Sequence, residues 1–133
     1  MATSGNLETL VLQKNHTLIC KAITNCADVV WFADRITEES FLTSQAKGSI
    51  IHNAGFSKYE KCSQLMGAVE TQVEADPNKY HTFLRILQEE PAMQSIVMIL
   101  SESYGMYNIF LSQWVTFLIQ SPPFKAFLSL LLP

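Results

Sequence analysis

Between Ser57 and Tyr104, apolar residues recur at helical spacing in three successive segments, and each segment has its own start signal. Ser57 and Glu60 have the spacing of a capping box, in which a hydroxyl and a carboxylate satisfy free backbone N–H groups at a helix start. The apolar residues behind them fall on one helical face: Cys62, Leu65, Met66, Val69 and Val73. The pattern predicts an amphipathic helix that begins after Ser57.

Two prolines separate this helix from two more. Pro77 and Pro91 each mark a boundary, because proline fits the first helical turn and breaks a helix interior. The second apolar stripe consists of Tyr80, Phe83, Leu84 and Leu87, and the third of Met93, Ile96, Val97, Leu100 and Tyr104. Gly105 follows at a position where a C-terminal glycine cap is expected, so the third helix is predicted to end there.

The N-terminal half predicts three further helices. The first covers residues 7–23 and has a weak point at residues 15–17, where poor helix formers favour a bend or break. The second runs from about residue 26 to 35. Thr37 followed by Glu38 and Glu39 is typical of a helix N-terminus, so the third is predicted to begin at Thr37 and to end near residues 53–55.

The last 28 residues, 106–133, form an apolar tail with a single charged residue, Lys125. Residues 106–120 are strongly apolar, Pro122 and Pro123 interrupt them, and residues 124–132 are apolar again. The first stretch is shorter than the ~20 residues that span a bilayer. Three interpretations remain open. The tail packs on the bundle as a further helix, it associates with a membrane, or it is a partner-binding or poorly ordered terminus.

Composition supports one folded domain. The chain has 133 residues, of which 48% are hydrophobic and 16% charged, so its apolar content can offset the entropy lost on folding. The net charge is −3. Nucleic acid binds strongly basic surfaces, so we expect no nucleic-acid partner.

Cysteine usage and the N-terminus bear on the compartment. Cys20, Cys26 and Cys62 are odd in number and lack the paired spacing of zinc ligands, which predicts free, buried thiols in a reducing environment. The first residues have neither the basic nor the apolar region of a secretory signal. We therefore expect a cytoplasmic protein.

Motifs that carry chemistry are few. The five glycines are scattered, and His16, His52 and His81 are far apart in sequence. The carboxylate pairs at residues 38–39 and 89–90 fall at predicted helix ends, where such groups are ordinarily solvated. We therefore assign no catalytic, cofactor-binding or metal-binding residue, and we expect a protein that is not an enzyme.

Six short helices in about 100 residues, in this layout, resemble the death-fold superfamily and, within it, most closely the caspase recruitment domain. The order of residues 28–34 and 36–41 is similar to the way such domains join their second and third helices. Residues 59–73, 77–87 and 93–104 resemble their fourth, fifth and sixth helices. The resemblance covers residues 7–105. It implies an antiparallel six-helix Greek-key bundle, preceded by a lead-in of residues 1–6 and followed by the apolar tail.

Members of this superfamily associate with other death-fold domains in apoptotic and innate-immune signalling. Commonly, charged residues on helices one and four of one molecule contact residues of the opposite charge on helices two and three of the next molecule. The resemblance therefore implies two groups of contact residues in this chain: an acidic group of Asp28, Asp34, Glu38 and Glu39, and a basic group of Lys14, Lys21, Lys58 and Lys61.

The sequence thus predicts an all-α protein, and the resemblance implies a recruitment domain that binds other death-fold proteins, including a second copy of itself. The alternative from another class is a helical scaffold that its apolar tail targets to a membrane. The first prediction requires the charged residues to lie on the surface of the bundle, and the alternative requires the apolar tail to be exposed.

Overall fold

A computed structural model describes residues 6–131, apart from the side chains of residues 107, 110, 124 and 128. Most of the lead-in and the last two residues of the tail lie outside the described range. Within that range the chain is all-helical, with eight α-helices and one 3-10 helix. The helices are α1 (Leu7–Lys14), α2 (His16–Cys26), α3 (Val29–Glu38), α4 (Ser44–Ile51), α5 (Lys58–Ala75), α6 (Lys79–Gln88), α7 (Gln94–Gln120) and α8 (Pro122–Leu131), and the 3-10 turn is Pro91–Met93.

The first predicted helix is broken at Asn15, which confirms the predicted weak point. Asn15 stands alone between α1 and α2, and its side-chain amide donates to the carbonyl of Val11 at 2.8 Å. An asparagine side chain that bonds to the backbone in this way competes with the helical hydrogen bonds. The chain therefore continues as a second helix that presents Ile19, Cys20 and Ile23 to the core.

The prediction that a helix begins at Thr37 is wrong. Thr37 lies inside α3, and its hydroxyl donates to the carbonyl of Ala33 at 2.7 Å. The reason is the apolar stripe of α3, whose residues Val29, Phe32, Ala33 and Ile36 are all buried and hold this segment as one helix. The next helix, α4, begins instead after Thr43, whose hydroxyl accepts from the N–H of Ala46.

Helix α5 is the centre of the bundle and contacts α1, α2, α3, α4 and α6. Its capping box is confirmed: the hydroxyl of Ser57 accepts from the N–H of Glu60, and the Glu60 carboxylate accepts from the N–H of Ser57. The predicted apolar face is confirmed too, because all five of its residues are buried.

Helices α6 and α7 close the core from the other side. Phe83 on α6 meets Phe32 on α3 edge to face, with ring centroids 6.1 Å apart. Tyr80 donates its hydroxyl proton to the carbonyl of Leu100 at 3.2 Å and stacks on Tyr104 at 5.4 Å between ring centroids. Burial, with Tyr104 and Glu8 nearby, raises the pKa of Tyr80 to about 12.

Gly105 does not end a helix, so the predicted cap is wrong. Helix α7 continues through Gly105 to Gln120 without a left-handed residue, because a glycine inside a helix costs only ~1 kcal/mol relative to alanine. Burial changes at this point: Leu100 is fully buried, Tyr104 is half-buried, and Met106 is 72% exposed.

The described part of the apolar tail extends from the bundle. Its described side chains are exposed except those of Leu118 and Ser121, which are half-buried. The interpretation that the tail packs back on the bundle as a further helix is therefore wrong for these residues. In the range 6–131 no helix has the combined length and hydrophobicity that a bilayer span requires.

Candidate interaction surfaces

Arg35 organises the charged residues at the C-terminal end of α3. Its guanidinium bonds the Glu89 carboxylate through both Nε and Nη2, at 2.8 and 2.7 Å. Nη1 donates to Glu38 at 2.7 Å, and Nη2 lies 3.7 Å from Glu39. The acidic cluster, defined as Glu38, Glu39 and Glu89 around Arg35, thus joins the end of α3 to the end of α6.

The acidic cluster keeps negative charge although it contains Arg35. A second guanidinium, that of Arg85, lies 3.9 Å from Glu39, so three carboxylates share two cations. The hydrogen bond from Arg35 lowers the pKa of Glu89, and the same bond raises the pKa of Arg35. Glu89 is therefore a carboxylate at neutral pH, and the cluster presents net negative charge to solvent.

Asp34 does not belong to this cluster. Its carboxylate pairs with the Lys47 ammonium at 2.9 Å, which links α3 to α4. Both side chains are partly exposed, and such pairs contribute about 0–1 kcal/mol. Asp34 is therefore neutralised within the bundle and adds little to any acidic surface.

The N-terminal end of α3 borders a cavity of about 420 Å³. This basic cleft is lined by two lysines at the start of α5, by one acid, by one threonine and by four apolar residues: Thr24, Ala27, Asp28, Val29, Val30, Ile51, Lys58 and Lys61. Asp28 caps α3, because its carboxylate accepts from the N–H of Val30 at 2.9 Å. Asp28 thus lies with the lysines rather than with the other predicted acids.

The remaining predicted lysines are placed differently. Lys21 is exposed on α2, one turn before Thr24, which lines the basic cleft. Lys14 is the exposed last residue of α1, on the other side of the break at Asn15. The structure therefore brings Lys58 and Lys61 together at the basic cleft, and places Lys21 on α2 and Lys14 on α1.

The acidic cluster and the basic cleft lie at opposite ends of one helix. Helix α3 has ten residues, so its ends are about 15 Å apart at 1.5 Å per residue. This distance exceeds the ~8–10 Å over which exposed charges interact at moderate salt. The two surfaces therefore do not neutralise each other within one molecule.

A polar row on α2 and α5 is the second notable arrangement. Nδ1 of His16 lies 2.6 Å from Oε2 of Glu70, and Nε2 lies 2.9 Å from Oγ of Ser63. Burial lowers the pKa of His16, but the hydrogen bond to Glu70 and the nearby negative charge outweigh burial and raise it above 6.5. The row therefore places a histidine with a raised pKa against a carboxylate in a partly buried position.

The order serine, histidine, carboxylate is that of a catalytic triad. A triad also needs hydrogen-bond donors for an oxyanion and space for the acyl group. Neither the basic cleft nor the shallow cavity between Thr37 and Gln72 is lined by any residue of this row. What the geometry shows is a hydrogen-bonded connection between α2 and α5.

The cysteines are free thiols, as predicted, but only two of the three are buried. Cys26 is exposed, whereas Cys20 and Cys62 are buried beside each other. The Cys62 thiol donates to Cys20, which raises the pKa of Cys62 and lowers that of Cys20. In the range 6–131 no cluster of three or more histidine, cysteine, aspartate or glutamate residues is placed to hold a metal ion.

Sequence reasoning missed the partners of these residues. Glu89, Arg85 and Lys47 complete the ion pairs of α3, and Glu70 and Ser63 complete the polar row. Arg35 and Glu89 are 54 residues apart, as are His16 and Glu70, so no local spacing could have signalled either pair.

Comparison of the chain with protein-family models, with curated proteins and with solved structures finds no match.

Proposed function

We propose that residues 7–105 form a protein-interaction module that recruits its partner through oppositely charged surfaces, as death-fold domains do. The observation that carries the proposal is the placement of the acidic cluster and the basic cleft at opposite ends of α3. The partner is another death-fold domain, of which a second copy of this chain is one example, and the setting is apoptotic or innate-immune signalling. No chemical step is part of the proposed role.

The helix order supports this proposal. If the broken pair α1 and α2 is counted as one helix, the α-helices up to Tyr104 number six. Six helices are what the resemblance to the caspase recruitment domain implies, and we propose the antiparallel Greek-key topology for them. The central position of α5 suits such a bundle, because this helix contacts most of the others.

Opposite charges on one molecule determine the mode of assembly. When two different surfaces of the same molecule meet, the contact is heterologous and propagates into a ring or a filament. Exposed charges mainly set the rate of encounter and the choice of partner. The apolar walls of the basic cleft, Val29, Val30 and Ile51, would add contact area next to the lysines.

Light scattering on a sizing column tests the proposal. The molar mass of the full chain is measured at several concentrations and at low and high salt. We expect a mass that grows with concentration and falls with salt, because salt screens exposed charge pairs. The apolar tail carries one charge, so association through the tail alone would not be weakened by salt. A monomer under all conditions would exclude self-assembly from the proposed function. The partner would then be a death-fold domain of a different protein.

A further inference from the structure

Beyond Tyr104, α7 leaves the bundle and exposes large apolar side chains. The exposed fraction is 72% for Met106, 68% for Phe117 and 53% for Trp114. Leu130 and Leu131 on α8 are exposed by 85% and 64%. A contiguous exposed apolar surface on this scale marks a contact site for a protein or a membrane.

The exposed part of α7 has two different faces. Asn108, Ser112, Thr116 and Gln120 recur every fourth residue and lie on one side of the helix, with Ile109 and Ile119 among them. At 100° per residue, about half of the circumference opposite this side is apolar: Met106, Leu111, Trp114, Val115, Phe117 and Leu118. The polar side chains of this part of the helix are therefore confined to one side, and its apolar surface is much wider than a narrow seam.

Helix α8 likewise has its polar and apolar residues on different sides. Lys125 and Ser129 are four residues apart and share one side, whereas Phe127, Leu130 and Leu131 lie on the other. Its ten residues are about 15 Å long, half the thickness of a bilayer core. Two helices thus follow each other, each with a wide apolar face.

The polar faces of both helices are almost uncharged. Residues 106–131 contain one charge, Lys125, and no acid, whereas the hydroxyl and amide groups are numerous. An amphipathic helix lies in the plane of a membrane with its apolar face ~5–10 Å into the boundary between headgroups and acyl chains. One lysine adds only about 1 kcal/mol of attraction to an anionic surface, so apolar insertion has to supply the binding.

These features favour a lipid bilayer, rather than a second copy of the chain, as the binding partner of the apolar face. Helix pairs in coiled coils use a narrow apolar seam flanked by charges that set register and partner. Here the apolar face covers about half of the helix and has no flanking charge on α7. A flat lipid surface accommodates such a wide face, with Trp114 near its middle.

We propose that residues 106–131 are a membrane-surface anchor that binds neutral, loosely packed bilayers such as those of high curvature. Without cationic residues to draw it to anionic headgroups, the anchor needs gaps between headgroups into which its large apolar side chains insert. The anchor is separate from the charged surfaces of the bundle and does not depend on their proposed role.

Vesicle binding of the full chain tests this proposal. The probes are phosphatidylcholine vesicles, either small and sonicated or large and extruded, and the readouts are flotation and the emission of Trp114 in a Trp31→Phe background. We expect stronger binding to small vesicles and a blue shift of the emission. Adding phosphatidylserine should change affinity by no more than about fivefold, which corresponds to ~1 kcal/mol for one lysine.

Paired variants separate the two faces. Val115→Ser with Phe117→Ser removes apolar side chains that are already exposed, and should weaken vesicle binding by at least about tenfold without changing the unfolding of the bundle. Gln113→Ser with Gln120→Ser is the matched control and should bind like the unmodified chain.

Three outcomes would overturn the proposal. Equal affinity for small and large vesicles would show that binding does not depend on how loosely the lipids are packed. Binding that requires phosphatidylserine and disappears in salt would indicate an electrostatic anchor. Lack of vesicle binding, together with a dimer that the Val115→Ser, Phe117→Ser variant dissociates, would assign the apolar face to a second copy.

Discussion

Nδ1 of His16 and Oε2 of Glu70 are 2.6 Å apart and join the start of α2 to the middle of α5. Only 25% of the histidine side chain and 15% of the glutamate side chain are exposed. A hydrogen bond between an imidazolium and a carboxylate in such a place is stronger than the same bond between neutral groups. The pair therefore makes the stability of the bundle depend on pH.

The sign of this dependence follows from the raised pKa of His16. In the folded state His16 is protonated at pH values where the unfolded chain has begun to lose the proton, near 6.5. The stabilisation is thus complete below that pH and is lost as the pH rises through the folded pKa. Glu70→Gln should cost about 1–2 kcal/mol at pH 6 and less at higher pH.

Urea unfolding of both chains across this range measures the effect, and NMR titration of His16 should show its pKa falling in Glu70→Gln. His52→Gln is the control, because His52 is exposed at the end of α4. A difference in free energy of unfolding that stays constant with pH would contradict the assignment.

Ser57 is predicted to stabilise α5 through its cap. Replacing it with alanine removes the acceptor for the N–H of Glu60, and losses of this kind cost ~1 kcal/mol, with a range of 0.5–2. Chemical unfolding measures the loss. Ser101→Ala, at an exposed position within α7, should change stability by less than about 0.5 kcal/mol. Equal effects of the two substitutions would show that the cap contributes nothing particular.

Ser40 lies two residues after the end of α3 in a left-handed conformation, with φ of 66°. The turn lets the N–H of Phe41 bond the carbonyl of Ile36 at 2.9 Å and buries the Phe41 ring. A residue with a Cβ is strained there by ~1–2 kcal/mol, and glycine is not. Ser40→Gly should therefore raise the free energy of unfolding, by up to about 1 kcal/mol after the entropy of the unfolded glycine is counted.

The matched control for Ser40 is Ser49→Gly. Ser49 is exposed inside α4, where glycine lowers stability by about 0.5–1 kcal/mol. Opposite signs for the two substitutions in thermal unfolding are the expected result. A destabilised Ser40→Gly chain would mean that Ser40 makes contacts that outweigh its backbone strain.

Local signals in the sequence were sufficient for much of the fold. The capping box at Ser57 and the apolar face of α5 depend on neighbours three to seven residues apart, and both are confirmed. The errors arose where two local signals competed. At Thr37 the spacing of buried side chains in α3 outweighed a good cap residue, and at Gly105 the continuing helix outweighed a glycine.

The candidate surfaces were harder to predict from the sequence, because they depend on contacts between helices that are distant in the chain. Lys58 and Lys61 are one turn apart, so their proximity follows from the helix. The pairing of Arg35 with Glu89 depends on how α6 packs against α3, and no spacing within the sequence contains this information. Asp28 was grouped with the other acids by sequence, whereas the fold places it beside lysines.

Charge reversal at the two ends of α3 tests the proposed assembly most directly. Glu38→Lys with Glu39→Lys makes both surfaces basic, and Lys58→Glu with Lys61→Glu makes both acidic. Neither variant should assemble alone, since like charges then meet. Both variants should stay folded, because exposed ion pairs contribute about 0–1 kcal/mol each. The ion pair between Arg35 and Glu89 also remains in both variants.

Mixing the two variants should restore assembly in light scattering, because each surface of one then meets an opposite surface of the other. Glu74→Lys with Glu102→Lys is the matched control: it changes the net charge as much as the first variant does, at exposed positions on α5 and α7. This control should assemble like the unmodified chain. If the control fails to assemble too, net charge rather than the acidic cluster governs association, and the assignment of the two surfaces is wrong.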